Sequence, residues 1–348
     1  MLKPGDQLTV QALASLSGES FGHIGEYEVI RDLPDPTIAP VTRIGRVVRP
    51  GRLVVARSLA RRSVLRRRFD LAHLQLLTYQ SDWIDLRRLT AGAKLISMVH
   101  DVRPHRHSMP GWIENRLLSE TYRRAGHLLV FHEALRDELT ADFGIDPALV
   151  HVAPIPFDAS DLRMGFAPSD GQQRVLFFGT LRRNMGIEVL LDAIGNLRHC
   201  DAQFIIAGAG DEAYTRELSE RARSLPNLKF VPGFVTAERK RELYLQAACA
   251  VLPYTEFHSQ SAVLADAYSY RVPVVVSDVG ALGHSVRSEG TGLVVPPRDP
   301  MALAAAIESV LERPPDLASA KVVSAIDSHD YSRVGVKLRR TYELVVTA

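Results

Sequence analysis

The run R-V-L-F-F-G at 174–179, followed by G-I-E-V-L-L-D-A-I-G-N-L at 186–197, decides the fold. The first run is apolar throughout, as in a strand covered on both faces. The apolar positions of the second recur at helical spacing. A strand that leads through a short loop into a helix is the repeating unit of a parallel sheet covered by helices.

This unit repeats along the second half of the chain. Strands are predicted at 203–210, 227–234, 248–253, 272–278 and 292–296. Helices are predicted near 211–224, 236–248, 260–270 and 300–312. Several of the strands are continuous Val, Ile, Leu and Phe runs, which indicates helices on both faces. The alternation of strands and helices in the second half therefore predicts a doubly wound α/β domain.

The first half shows the same alternation less regularly. Strands are predicted at 69–75, 93–101 and 127–132, and helices near 81–90 and 112–125. The opening L-T-V-Q-A-L-A-S-L at 8–16 has a helical pattern, so the usual first strand is predicted to be missing, short or displaced. A length of 348 residues exceeds what one core usually supports and favours two domains.

The composition restricts the class of protein. No apolar stretch approaches the roughly 20 residues of a membrane helix, and the first residues lack the apolar core of a signal peptide. The two cysteines, Cys200 and Cys249, form neither a disulfide framework nor a metal site. We therefore expect a globular protein of the cytoplasm.

The order of motifs from 174 to 307 resembles glycosyltransferase family 4. The matching pieces are F-F-G-T-L-R-R-N-M-G, I-I-A-G-A-G-D-E, N-L-K-F-V-P-G-F-V, S-Q-S-A-V-L-A-D and E-G-T-G-L-V-V-P-P-R-D-P. The resemblance implies an α/β GT-B fold, with two Rossmann-like domains facing a cleft. It places an acceptor-side domain at 1–157, a nucleotide-sugar domain at 158–327 and a C-terminal helix at 328–348 that crosses back to the first domain.

The resemblance also implies a function. Members are retaining enzymes, so we expect transfer from a UDP- or GDP-sugar to a hydroxyl group in glycan, glycolipid or natural-product biosynthesis. The acceptor is expected to be a carbohydrate, a lipid-linked molecule or a small molecule. No cofactor beyond the nucleotide-sugar donor is expected, and no metal, since no histidine cluster has metal-ligand spacing.

Several positions depart from the family pattern. Thr180 and Met185 stand where the family commonly has arginine and lysine, and His258 and Asp266 stand where it usually has two glutamates. These departures leave open two alternatives: a non-catalytic sugar-nucleotide-binding or partner protein, and a sugar-nucleotide epimerase of the same fold.

The predicted catalytic residues are His100, Arg182 and Arg183. A diphosphate needs nearby cations, so Arg182 or Arg183 is predicted to replace the missing pair, with ordinary surface arginines as the alternative. The sequence M-V-H-D at 98–101 resembles the family's strand-end histidine beside the donor sugar, and the alternative is a buried, hydrogen-bonded histidine. His105 and His107 follow in a polar loop. Either these histidines bind the acceptor, or the loop is solvated and has no functional role.

The donor side is predicted to consist of one group of residues around the strand and helix ends. Its members are Gly179, Thr180, Phe234, His258, Gln260, Ser261, Ala262, Val263 and Asp266. Gln260 and Ser261 begin a helix whose free N–H groups, including those of Ala262 and Val263, suit phosphate. The resemblance assigns Asp266 to the ribose and places Phe234 near the nucleobase, where a hydrophobic loop anchor is the alternative. Glu256 is a candidate substitute for the sugar contact.

An arginine-rich tract lies in the first half. Ten arginines and no acidic residue occur from Arg43 to Arg68, and 53–68 alternates them with apolar residues at near-helical spacing. A basic amphipathic helix of this kind fits an anionic membrane surface, such as the inner face of the cell membrane. A solvated helix is the alternative. The net charge of +2 and the absence of interleaved aromatic residues are against nucleic-acid binding.

Overall fold

A computed structural model describes most of the chain. It describes residues 69–75, 77, 79, 86, 93–104, 110–157, 171–257 and 260–348, and gives the strand assignment alone for 9–13 and 28–33. The chain divides into two compact units: a first unit of 1–99, 109–129 and 339–348, and a second unit of 100–108 and 130–338. The predicted division at 157/158 stays a prediction, although residues 130–157 are grouped here with the second unit.

The second unit is built on a six-stranded parallel sheet in the order β12-β11-β10-β7-β8-β9. The strands are β7 (Arg174–Phe178), β8 (Gln203–Gly208), β9 (Leu228–Pro232), β10 (Cys249–Leu252), β11 (Val274–Ser277) and β12 (Gly292–Val295). The chain runs outward from β7 to β9, returns to β10 beside β7, and runs outward again to β12. Strand order therefore reverses between β7 and β10, and open α/β sheets bind ligands outside the carboxyl ends of strands at such a point.

Helices alternate with these strands, as predicted. They are α3 (Ile187–Asn196), α4 (Glu212–Ala222), α5 (Ala237–Leu245), α6 (Ala262–Ser269), α7 (Gly280–Glu289), α8 (Pro300–Glu312) and α9 (Ala320–Asp327). All four residues of β10 and of β11 are buried, which explains their uninterrupted apolar sequences. The segment 130–157 adds α2 (Glu133–Phe143) and β6 (Val150–Val152).

The first unit contains three adjacent parallel strands. Strand β4 (Lys94–Met98) pairs with β3 (Leu71–Leu74) and with β5 (His127–Val130), and α1 (Gly111–Arg124) connects β4 to β5. These elements confirm the strands and the helix predicted from 69 to 132. The helix predicted at 81–90 lies outside the described residues except for Leu86, which is helical and fully buried.

The helical prediction for 8–16 is wrong. Strand β1 (Thr9–Leu13) occupies this stretch and pairs in parallel with β2 (Glu28–Leu33), with Val10 opposite Val29. Nine residues are too few for spacing alone to separate a helix from a strand. The hydrogen-bonding partner that decides the matter lies about twenty residues further along the chain.

The chain ends in α10 (Tyr331–Thr347). Residues of this helix up to 338 are grouped with the second unit, and those from 339 with the first. Its final part supplies Tyr342, whose hydroxyl lies 2.6 Å from Nδ1 of His73 on β3. The two rings also meet edge to face, with centroids 5.6 Å apart.

Acidification is expected to destabilise the first unit through His73. Burial lowers the pKa of His73 from 6.5 to about 4, and its Nε2 has no hydrogen-bond partner among the described residues. As the pH falls, His73 is therefore protonated in the unfolded chain before it is protonated in the folded protein. The contribution of neutral His73 to the free energy of unfolding is therefore fully present above about pH 6.5. It declines toward pH 4, by roughly 3 kcal/mol in all.

Urea unfolding at pH 7, 5.5 and 4.5 measures this effect. His73→Phe is expected to flatten the decline in the free energy of unfolding. His199→Gln removes an exposed histidine that pairs with Glu308, and this variant is expected to retain the decline. An identical pH slope in wild type and His73→Phe would exclude His73 as the cause.

Candidate functional site

Two glycines allow the ends of β7 and β8 to approach closely. Gly179 follows β7, and its N–H donates to the carbonyl of Ala207 at 3.1 Å. Gly208 ends β8 with a φ of +152°, and a Cβ there would lie 1.7 Å from the carbonyl oxygen of Gly179. A side chain at 208 would therefore displace the turn after β7, which borders the point where strand order reverses.

The loops after β7 and β10 are held against each other. Gly186 has a φ of +65°, and a Cβ on it would lie 1.8 Å from the carbonyl oxygen of Pro253. Asn184 joins the same two loops, because its carbonyl accepts from the N–H of Thr255 at 2.9 Å and its Nδ2 donates to the carbonyl of Glu256 at 3.3 Å. Asn184 was not predicted from the sequence, since its partners lie about 70 residues away and leave no local signal.

The two candidate phosphate arginines differ in their surroundings. Arg183 pairs with Glu217 at 2.7 Å and with Glu188 at 3.3 Å, and its guanidinium lies 4.7 Å from the ring centre of Tyr214. The hydrogen bond and the charge of Glu217 raise the pKa of Arg183. Arg182 is exposed and forms no ion pair with any residue that the structure describes.

Helix α6 begins beside the turn at Gly179. Ser261 is its N-cap, with Oγ accepting from the N–H of Leu264 at 3.4 Å and lying 3.2 Å from the hydroxyl of Tyr254. A Cβ on Gly179 would lie 3.4 Å from Cγ2 of Val263. The first N–H groups of a helix have no intrahelical acceptor, so this end is suited to an anion. Those of Ala262, which is exposed, and Val263 belong to this first turn.

Gln260 has a structural contact that the sequence did not indicate. Its side chain is 6% exposed, and Oε1 accepts from the N–H of Ile155 at 3.2 Å. The carbonyl of Ile155 lies 3.0 Å from Nδ1 of buried His329, just before α10. The side chain of Gln260 thus fixes the segment 153–157 to the start of α6.

Asp266 lies one turn further along α6 and is paired. Nζ of Lys240 on α5 donates to Oδ1 of Asp266 at 2.7 Å, and the two side chains are 30% and 26% exposed. Lys240 was not predicted from the sequence. It lies within the polar run A-E-R-K-R-E, and nothing in that run indicates a partner 26 residues away.

The remaining predicted residues lie around these loops. Phe234 is 89% exposed, Thr180 is exposed, and Glu256 pairs with Arg298 at 2.6 Å. His100 is exposed, which contradicts the alternative of a buried core histidine, and its ring packs edge to face on Phe131 with centroids 5.1 Å apart.

Other predictions fall outside the described residues: those on His258, His105, His107 and the tract 53–68. Within the described ranges no three His, Cys, Asp or Glu residues are grouped so as to hold a metal ion. No helix in that part of the chain is both long and apolar enough to cross a bilayer.

Comparison with known proteins defines the class to which this fold and site belong. The family model described as Glycosyltransferase Family 4 matches residues 20–161, and the model described as Glycosyl transferases group 1 matches residues 172–313. Together they cover most of the chain and place it among the glycosyltransferases. The chain belongs to glycosyltransferase family 4, as its motifs predicted.

Individual relatives agree with this assignment. Glycogen synthase of Mycobacterium tuberculosis is 28% identical over 256 residues, which cover 68% of this chain and 60% of the synthase. Phosphatidyl-myo-inositol mannosyltransferase of Mycobacterium leprae is 32% identical over 186 residues, or 50% of this chain and 47% of the relative. The chain thus spans 60% or less of the length of these relatives.

A solved structure supports the fold. Anabaena HepE, solved in complex with UDP and glucose, has a TM-score of 0.67 at 18% identity, covering 91% of this chain and 86% of HepE. The two-domain α/β GT-B fold predicted from the sequence is confirmed.

Proposed function

We propose that the protein is a retaining glycosyltransferase that moves a sugar from a UDP- or GDP-sugar to a hydroxyl acceptor. One observation carries the proposal: the start of α6 and the Gly179 turn meet where strand order reverses between β7 and β10, and Arg182 follows that turn with no ion-pair partner among the described residues. Backbone N–H groups at a helix start and a nearby arginine are what a nucleoside diphosphate requires. UDP is a reasonable first probe, because HepE was solved with it.

The chemistry follows from the leaving group. The bond between the anomeric carbon and the phosphate oxygen breaks, and the acceptor oxygen bonds to that carbon on the same face. The acceptor proton passes to the leaving phosphate oxygen. Arg182 and the N–H groups of Ala262 and Val263 stabilise the charge that develops on the diphosphate. His100 positions the donor sugar, and no metal is required in this proposal.

The acceptor class is broader than the donor class in this proposal. The relatives named above are a glycogen synthase and a phosphatidyl-myo-inositol mannosyltransferase, so the proposal includes both carbohydrate and lipid-linked acceptors. Small-molecule acceptors complete the set. Glycan, glycolipid or natural-product assembly is the corresponding biological setting.

UDP or GDP is expected to raise the melting temperature of the protein. A ligand at one hundred times its Kd stabilises the folded state by about 2.7 kcal/mol, which corresponds to a rise on the order of 5 °C or more. Thermal unfolding with each nucleotide, with and without EDTA, measures this shift. If neither nucleotide changes the melting temperature, the proposed function is wrong.

Turnover separates this function from its alternatives. Labelled sugar nucleotides are incubated with the protein, and their products are separated by chromatography. Slow release of nucleoside diphosphate and sugar supports a transferase. Reversible exchange between sugar isomers identifies an epimerase, and binding without any turnover identifies a non-catalytic protein.

A further inference from the structure

The ion pair between Lys240 and Asp266 joins helices α5 and α6 of the second unit. Both side chains are partly exposed, at 30% and 26%, and Nζ lies 2.7 Å from Oδ1. One carboxylate oxygen and two ammonium hydrogens are not used in this bond. The pair therefore presents an acceptor and donors next to each other at a surface that solvent reaches.

The position along α6 relates this pair to the helix start. Ala262 and Asp266 are four residues apart, so they lie on the same face of the helix, about 6 Å apart along its axis. A diphosphate held at the first turn would place the adjoining pentose about one helical turn away. That distance matches the separation between Ala262, which is exposed, and Asp266, which is partly exposed.

The helix that carries Lys240 is fixed against α6. Tyr244, one turn after Lys240, donates to the carbonyl of Val263 at 3.5 Å and is almost fully buried. Its ring stacks on that of Tyr270, with centroids 5.1 Å apart and planes at 12°. Lys240 and Tyr244 share one helical face, so these contacts hold the ammonium group in place beside Asp266.

We propose that Lys240 is a specificity-determining residue that, together with Asp266, recognises the vicinal hydroxyls of the donor ribose. This inference rests on the proposed function. Each hydroxyl of a vicinal diol both donates and accepts a hydrogen bond, so a carboxylate beside an ammonium group complements it fully. The hydrogen bond from Lys240 also orients the carboxylate of Asp266. A nucleotide without one of these hydroxyls leaves a polar group of the pair unmatched.

Nucleotide binding by the full chain tests the inference. Calorimetry gives the Kd of UDP and GDP, and then of the 2′-deoxy and 3′-deoxy forms of whichever binds. The wild type is expected to prefer the ribonucleotide at least about tenfold over one deoxy form. Lys240→Met is expected to weaken ribonucleotide binding about tenfold and reduce the preference to about twofold or less.

Two further variants separate recognition from structure. Lys240→Arg retains the charge and is expected to keep most of the preference. Arg239→Met removes an exposed ion pair with Glu242 on the same helix and is expected to change neither the Kd nor the preference. In donor hydrolysis, Lys240→Met is expected to raise KM about tenfold with kcat changed less than about threefold.

The outcomes distinguish this inference from the function on which it rests. If the wild type binds UDP or GDP but does not discriminate against either deoxy form, the inference is wrong and the proposed function stands. An unchanged preference in Lys240→Met also overturns it. Should Lys240→Met fail to fold, Lys240→Gln provides the same comparison, because it also removes the charge. If the wild type binds no nucleotide, both proposals fail.

Discussion

Replacing Gly208 by alanine is expected to destabilise the second unit by about 3 kcal/mol or more and to reduce kcat/KM at least about a hundredfold. The added Cβ would lie 1.7 Å from the carbonyl oxygen of Gly179 and 2.8 Å from its carbonyl carbon. Both atoms are backbone, so no side-chain rotation relieves the clash. The φ of +152° at Gly208 adds strain for any residue with a side chain. The turn after β7 must therefore move. Arg182 follows this turn, and the start of α6 lies beside it.

Denaturant unfolding and donor turnover measure the two effects separately. Gly195→Ala is the matched control: Gly195 lies within α3, has no positive φ and has no described atom outside its own helix within 4 Å of an added Cβ. This change is expected to stabilise the protein by roughly 0.5–1 kcal/mol. If Gly208→Ala had the free energy of unfolding and the kcat/KM of the wild type, the close approach of the ends of β7 and β8 would not be needed for the site.

The sheet of the second unit was predictable because each strand carries its own signal. Strands β10 and β11 are buried on both faces, and a buried parallel strand must be apolar throughout. Helix α7 was not predicted. Its sequence G-A-L-G-H-S-V-R-S-E contains two glycines, which weaken a helical pattern, and burial of Leu282 and Val286 stabilises it instead.

The candidate site was predictable to the extent that it follows from topology. Gly179 and Ser261 lie at a strand end and a helix start, and the alternation of strands and helices locates both. Side-chain partnerships were not predictable. The contacts of Arg183 with Glu217, of Lys240 with Asp266 and of Gln260 with Ile155 join residues 34, 26 and 105 positions apart, and no local pattern records such pairs.

Arg182 and Arg183 are adjacent but differ in their ion pairs, so their replacement is expected to affect kcat/KM very differently. Arg182→Met is expected to lower kcat/KM for the donor about a hundred- to thousandfold. Because Arg182 forms no ion pair with a described carboxylate, its guanidinium can bind the negative charge that develops on the diphosphate in the transition state. Arg183 is held by Glu188 and Glu217 on the surface. Freeing it for a phosphate would leave those two carboxylates without their cation, so Arg183→Met is expected to cost less than about tenfold.

Steady-state kinetics on the two variants decide which arginine serves the diphosphate. Arg182→Lys keeps the charge but loses the planar pair of donors that fits a phosphate, so it is expected to recover only part of the lost kcat/KM. Equal losses in Arg182→Met and Arg183→Met would mean that the ion pairs of Arg183 open when donor binds. A larger loss in Arg183→Met would transfer the role to Arg183, and near-wild-type activity in both would show that backbone N–H groups stabilise the leaving group without either guanidinium.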